Sequence, residues 1–432
     1  MTQWGRLNGE IGDFVFDIRI AAQPFHSMGH GCDVLVYLGE TVLDQSRFTL
    51  QPGSVLLWDP PPAERPHMFH NDAVIAYAVP FTQFAVHHEE GLAGKGLAAL
   101  GTLLQLLGAP SDTLDRLASV VAAPRSFAAG VAFARSHIEK RDAYSIPSVW
   151  SDTTGGYLLG PEQAILLGYA ARACECRTSC DATLIESPAT WAATHLDIGR
   201  SLVSVLESDR HPGVQVYRGP QGKVMALLRG NDSAIASCLN GFAAPMIFVA
   251  ADVPDIIRLI VAGHELIRSG LSDGVGILIE DTIARRQQSV NIRTLSDTVR
   301  RGNLFAGDTG ALSRSASVSS GVEYEGDADA YVGYVSWGAT QGVVRDAVAL
   351  CRSFGLRVAG LYPKRIVPFR YEDMEAFAET VGRVVIVESG QTQGYWDRLR
   401  ASFSFDSSLL TPQPGQPLTP MDIFLREGLG AV

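Results

Sequence analysis

Residues 332–394 constrain the fold more than any other stretch, because their apolar pattern switches between strand and helix periods several times in succession. The strand-like run from Tyr331 closes at a turn of small residues, Ser336-Trp337-Gly338-Ala339-Thr340. Apolar Val343, Val344, Ala347, Val348 and Cys351 then recur at helical spacing up to a stop at Gly355. Leu356 to Tyr362 returns to strand composition, and Pro363 and Pro368 close it. Met374 to Thr380 gives a second short helix before the β-branched run Val384 to Val387. Three strands alternating with two helices predict a parallel sheet with right-handed crossovers and cover on both faces.

The whole chain has 432 residues, of which 46% are apolar and 19% charged, so it can bury large cores and form about two to four domains. Its longest apolar runs, Leu97 to Leu107 and Pro245 to Ala251, fall short of the roughly 18 to 20 residues a bilayer requires. No membrane span is therefore expected. The opening Met1-Thr2-Gln3-Trp4-Gly5 shows no basic and apolar secretory pattern, which makes a cytoplasmic location the expectation. A formal charge of −11 argues against a broad nucleic-acid surface. The six cysteines sit mostly inside apolar segments and are expected to be reduced.

Residues 10–60 alternate apolar runs with turns: Phe14 to Ile20, Asp33 to Leu38, then Leu50-Gln51-Pro52-Gly53 before Ser54 to Trp58. A further short strand over Asn71 to Val79 and an apolar helix over Leu92 to Leu107 follow, the latter ended by Gly108 with Pro110 beyond. One or two more helices fit Ser111 to Ile138, with Ser111-Asp112 as a cap. A linker between Lys140 and Gly156 separates this domain, residues 1–145, from a second over 151–292. In the second, helices are expected at Glu162 to Cys174, Ile235 to Phe242 and Ile256 to Ser269. Its strands are expected at Val203 to Leu206, Val224 to Leu228, Met246 to Ala250 and Val275 to Ile279. Residues 293–328 read as a long connector, and 329–432 as a third domain whose Pro412, Pro414, Pro417 and Pro420 keep the tail irregular. The fold class is α/β, in three α/β domains.

The third domain resembles the second domain of the alpha subunit of 2-oxoacid:ferredoxin oxidoreductases. The resemblance rests on Ser336-Trp337-Gly338-Ala339-Thr340, Leu361-Tyr362-Pro363, Pro368-Phe369 and Val384-Val385-Ile386-Val387-Glu388. Gly390 stands where that family has an Asn, and Gln393-Gly394 reverses its Gly-Gln pair. Residues 14–138 resemble the gamma subunit of the same family, with the strand Asp33 to Leu38, the turn Leu50 to Gly53 and the helix around Leu97 to Gly101, although its opening Gly-Gly-Gln-Gly loop is missing. The middle domain resembles a shortened pyrimidine-binding domain through Gly160-Pro161-Glu162-Gln163-Ala164, Glu186-Ser187-Pro188-Ala189-Thr190 and Leu206-Glu207-Ser208-Asp209. The Thr-Ser-Gly-Pro-Gly and Arg-x-Gly-Pro-Ser-Thr-Gly segments of the family are not recognisable. The resemblance implies a gamma-subunit-like sheet domain, a thiamine-diphosphate pyrimidine-type domain and a transketolase-C-terminal-like parallel-sheet domain, in a shortened and divergent gamma-alpha fusion.

Glu207 stands where the family places the carboxylate that bonds the aminopyrimidine ring of thiamine diphosphate and promotes its imino tautomer. An ordinary strand-end acid beside Asp209, Arg210 and His211 is the competing reading. Ser187 and Thr190 are candidates for a substrate carboxylate, against a Ser-Pro turn with a helix cap. Cys174, Cys176 and Cys180 are spaced for neither zinc nor an iron–sulfur cluster, so no metal site is expected. His67, His70, His87 and His88 are scattered without carboxylates at regular spacing, and nicotinamide, P-loop and hydrolase motifs are absent. Ser336 to Gly342 has the small residues of an anion cradle or of a plain βαβ turn.

The function implied by the resemblance is oxidative decarboxylation of a 2-oxoacid in a hetero-oligomer, as a dimer of heterodimers. A separate beta subunit would bind the diphosphate and Mg²⁺, partner chains would carry iron–sulfur clusters, coenzyme A would accept the acyl group, and a ferredoxin-like protein would take the electrons. The chain alone would be inactive. A non-catalytic scaffold of the same architecture is the alternative.

Overall fold

The structure is a computed structural model that describes residues 2–4, 15–20, 25–29, 31–39, 50–60, 73–146, 156–170, 214–218, 224–230, 246–284, 286, 288–291, 322–327, 329–388, 400, 405–413 and 417–428. Backbone contacts divide the chain into two compact units: residues 30–154, and residues 1–29 together with 155–432. The first 29 residues fall in the second of these units. They contribute an antiparallel pair, β1 (Thr2–Trp4) and β2 (Val15–Asp17).

Residues 30–154 form a three-stranded parallel sheet, β3 (Cys32–Tyr37), β4 (Leu50–Trp58) and β5 (Ile75–Ala78), followed by α1 (Phe81–His87), α2 (Gly91–Leu106), α3 (Ser111–Val120) and α4 (Pro124–His137). Apolar side chains of one sheet face, among them Val55, Leu57 and Tyr77, pack on Ala98, Ala99 and Leu106 of α2 and Ala134 of α4. The helices α2 and α4 approach closely because Gly101 and Gly130 carry no Cβ; a methyl on either would strike a backbone carbonyl of the other helix. Leu50-Gln51-Pro52-Gly53 is part of β4 and not a separate turn. Gly53, at φ +88°, and a register shift between Cys32 and Val34 take up the irregularity as a bulge.

The second unit continues with β6 (Gly156–Leu159), α5 (Pro161–Ala170), β7 (Val214–Arg218), β8 (Val224–Gly230), β9 (Met246–Val249), α6 (Val253–Arg268), β10 (Gly274–Glu280), α7 (Asp281–Ala284) and β11 (Gln288–Asn291), which pairs with β6. The helix α6 begins where it does because Asp252 is extended and its carboxylate accepts the Asp255 N–H at 2.8 Å. Next come β12 (Val322–Gly326), β13 (Ala330–Val335), α8 (Thr340–Ser353), β14 (Val358–Pro363), β15 (Arg365–Val367), α9 (Tyr371–Glu379), β16 (Val381–Val387), β17 (Ser407–Leu410), α10 (Pro420–Ile423) and a π-helical turn over Phe424–Gly428.

Two five-stranded sheets result, with orders β15-β9-β10-β8-β7 and β12-β14-β13-β16-β17. The second has the three parallel strands β14-β13-β16 expected from sequence, extended by an unexpected fourth, β17, in the tail, with α8 against one face through Val344, Ala347, Val348 and Cys351. Its other face shares a core with the first sheet: Val335, Leu361 and Ile386 pack with Ile247, Val249 and Leu278, and with Met374 and Phe377 of α9. Three expectations need correction. The connector contains β12, an antiparallel edge on β14. The strand closed by Pro363 gives way at once to β15, which leaves its own sheet and pairs antiparallel with β9. Pro420 starts a helix, as the first residue after the Thr419 capping box, where fixed φ and a missing N–H cost nothing. The expected strand over Val203 to Leu206 and helix over Ile235 to Phe242 lie outside the described residues.

Candidate functional site

Ser187, Thr190 and Glu207 lie outside the described residues, as do Cys174, Cys176 and Cys180. Among the described residues, no three His, Cys, Asp or Glu side chains are placed to hold a metal ion, and no helix is long and apolar enough to cross a membrane. The described chemistry instead concentrates where the two five-stranded sheets meet.

Lys364, in the single-residue gap between β14 and β15, is brought to α6 by the departure of β15 toward β9. Its ammonium is 2% exposed and pairs with the carboxylate of Asp255, itself 4% exposed. Asp255 also accepts the Ala251 N–H at 3.1 Å and a hydrogen bond from Arg258 at 3.1 Å. From the other side Glu323 of β12 comes within 3.8 Å of Lys364 and pairs with Arg345 of α8. Arg345 reaches Glu325 at 2.9 Å, lies 4.1 Å over the Tyr362 ring, and the Tyr362 hydroxyl donates to Glu325.

Burial alone would keep the Asp255 carboxyl protonated, but the charges of Lys364 and Arg258 outweigh it and hold the group down to about 2. Asp252 goes the other way, raised by burial and by the Asp255 charge. Burial and Glu325 push the Tyr362 phenol well above 10. Each charge in this chain of contacts has an opposite neighbour, which holds the charge pattern of the network in place.

A second polar cluster surrounds the start of α8, the turn with the composition of an anion cradle. Glu280, the last residue of β10, turns its carboxylate into that position and accepts the Ala339 N–H at 3.1 Å. Gly338, at φ +58°, leaves room for it; a Cβ there would strike the carboxylate. The helix dipole favours negative charge at this point, and the protein's own carboxylate provides it. Nearby, Arg286 is held below the usual guanidinium range by burial, with Asp252, Glu280 and Asp346 within electrostatic reach, and its Nε has no hydrogen-bond partner among the described residues. Ser336 is fully buried at the end of β13.

Sequence reasoning missed the first cluster and, at the second, reached the small-residue turn over Ser336 to Gly342 but not Glu280. The Asp252-Val253-Pro254-Asp255 stretch carries a legible helix-start signal, since an Asx side chain followed by Pro and a second acid suits a first turn. Lys364 inside an apolar strand-and-proline run was a visible anomaly, but nothing local identifies a partner 109 residues away.

Residues 8–132 match the family model described as Pyruvate ferredoxin/flavodoxin oxidoreductase. No curated protein matches the chain. Among solved structures, the chain is similar to the 2-oxoglutarate:ferredoxin oxidoreductase from Magnetococcus marinus, solved with 2-oxoglutarate, coenzyme A and succinyl-CoA bound. Identity is 18%, coverage is 94% of this chain and 89% of that one, and the TM-score is 0.70. A split-gene transketolase, an inactive beta4 tetramer, is 14% identical over 43% of this chain and 56% of that one, with a TM-score of 0.29. The transketolase from Campylobacter jejuni is 12% identical over 46% and 28%, with a TM-score of 0.27. Scores that low establish no shared architecture. The first likeness does: this chain has the α/β fold of the Magnetococcus oxidoreductase, and its first third carries the sequence pattern of the pyruvate ferredoxin/flavodoxin oxidoreductase model.

Proposed function

We propose that this chain is a fused gamma-alpha subunit of a 2-oxoacid oxidoreductase complex that works with thiamine diphosphate. The observation that carries the reading is the likeness over 94% of the chain to a 2-oxoglutarate:ferredoxin oxidoreductase, at a TM-score of 0.70. The family model on residues 8–132 supports it from the sequence side. On this reading residues 1–145 form the gamma-like domain, 151–292 the pyrimidine-type domain and 329–432 the transketolase-C-terminal-like domain. Thiamine diphosphate, when bound, supplies the electron sink for decarboxylation. Glu207 holds a proton at the aminopyrimidine ring, and Ser187 and Thr190 bind the substrate carboxylate. The diphosphate and Mg²⁺ belong to a separate beta subunit, in keeping with Glu280 occupying the start of α8. Partner chains carry the iron–sulfur clusters and pass electrons to a ferredoxin-like acceptor, and coenzyme A takes the acyl group.

The second reading, a non-catalytic scaffold, is favoured by the unrecognisable Thr-Ser-Gly-Pro-Gly and Arg-containing loops. The two separate in the complex purified with its native partners. Thiamine content and 2-oxoglutarate-dependent dye reduction are measured for wild type and Glu207→Gln. A catalytic subunit gives bound thiamine and loses turnover about 10²–10⁴-fold in the variant while assembly persists. Absence of thiamine, or turnover indifferent to Glu207, makes the chain a scaffold.

A further inference from the structure

The helix α8 fastens more than its own sheet. Asp346, in its second turn, receives four donors from the N-terminal segment: Arg19 Nη1 at 3.0 Å, the His26 N–H at 3.0 Å, the Ser27 N–H at 2.9 Å and the Ser27 hydroxyl at 2.6 Å. Arg19 Nη1 also donates to the Ser27 carbonyl at 2.6 Å, and its guanidinium lies 4.5 Å from the centre of the Phe25 ring. One turn earlier on the helix, Gly342 has no side chain, and the His26 carbonyl fills the space a Cβ would take. Meanwhile Ile18 and Ile20, on either side of Arg19, are 61% and 68% exposed. The polarity is inverted relative to an ordinary packed strand, with charge inward and apolar groups outward. Hydrophobic burial of these two isoleucines therefore does not hold the segment down; one carboxylate and one glycine notch do.

We propose that residues 18–20 and 25–29 are a releasable strap, fastened to α8 by Asp346 and fitted against Gly342, that opens as a local unit while the β12–β17 sheet stays folded. The last strap residue is Gly29, after which the chain passes into residues 30–154. The first turn of the same helix is pinned by Glu280, and Arg345 beside Asp346 is tied to β12. The surface that receives the strap is thus rigid whether or not the strap is down.

Hydrogen exchange read by mass spectrometry on the full chain tests this with Asp346→Asn and Gly342→Ala. The first weakens the acceptor and the second inserts a methyl against the His26 carbonyl. The amides of His26 and Ser27 should exchange about ten- to a hundredfold faster in both, as expected on losing a hydrogen bond to a charged group, with residues 330–335 unchanged. Alanine is also the better helix former, so the α8 amides should keep or gain protection in Gly342→Ala. Should either variant fail to fold, Ser27→Ala and Arg19→Gln each remove donors to Asp346 and report on the same amides. Unchanged exchange at His26 and Ser27 would overturn the proposal. So would exchange in the sheet rising in step with the strap, because the segment would then be an integral part of the fold.

Discussion

The electrostatics of the sheet junction centre on one pair of residues. Asp255 and Lys364 are both almost wholly removed from water, and a buried ion pair contributes little over an apolar pair of the same size, while half of one is costly. Asp255→Ala should therefore destabilise by about 3–5 kcal/mol in denaturant titrations, and the double change Asp255→Leu with Lys364→Met should recover most of that loss. The pH dependence has a definite sign. The Asp255 carboxyl lies at about 2 in the folded chain against an ordinary 3.8, so its contribution is present above 3.8 and is lost as pH falls toward about 2. Asp252 opposes this, because its raised carboxyl costs stability once ionised. Asp252→Asn keeps an acceptor for the Asp255 N–H and removes the like-charge repulsion, so it should be neutral or stabilising, whereas Asp252→Ala should lose about 1 kcal/mol of capping. The cap is legible in the sequence. The pair is not, because a buried lysine announces that it has a partner but not which one.

Among the elements, β15 shows what sequence pattern reaches and where it stops. Helical spacing from Val343 to Cys351 and the β-branched run at Val384 to Val387 were sufficient for α8 and β16, since α8 buries one face at helical period while β16 buries both faces and so reads as an unbroken apolar run. Arg365–Val367 has three residues, too few for a period, and its pairing with β9 is a tertiary event. The edge strand β12 was hidden for a related reason: the partly buried residues of an edge carry a weak apolar signal, here beside a Ser- and Gly-rich stretch. The candidate catalytic residues were legible only through resemblance, because Glu207, Ser187 and Thr190 form no local pattern that separates them from a turn. Ile366, at the centre of β15, is 3% exposed and belongs to the core shared by both sheets. Ile366→Ala should cost about 2–5 kcal/mol by equilibrium unfolding, the usual range for emptying a buried aliphatic site. A loss below 1 kcal/mol would mean that β15 does not help hold the two sheets together.

At the scale of the whole molecule, the arrangement of cores determines how many cooperative bodies the chain contains. Residues 30–154 have their own cores, around Leu57 and Phe81, around Leu56 and Trp58, and around Leu114 and Phe127. The two five-stranded sheets are different, since Ile247, Val249 and Leu278 of one share a single core with Val335, Leu361 and Ile386 of the other. The first sheet has α6 on its opposite face, so separating the sheets would expose an apolar face on each, at a cost of about 25 cal/mol for each Å² uncovered. Calorimetry should therefore resolve two cooperative transitions and not the three suggested by domain boundaries at 151 and 329. Leu56→Ala should lower the transition of residues 30–154 and leave the other in place, while Ile366→Ala should lower the other as a whole. If Ile366→Ala instead splits that transition in two, the shared core is weaker than the burial of its side chains implies, and the middle and C-terminal sheets fold as separate bodies joined by β15 alone.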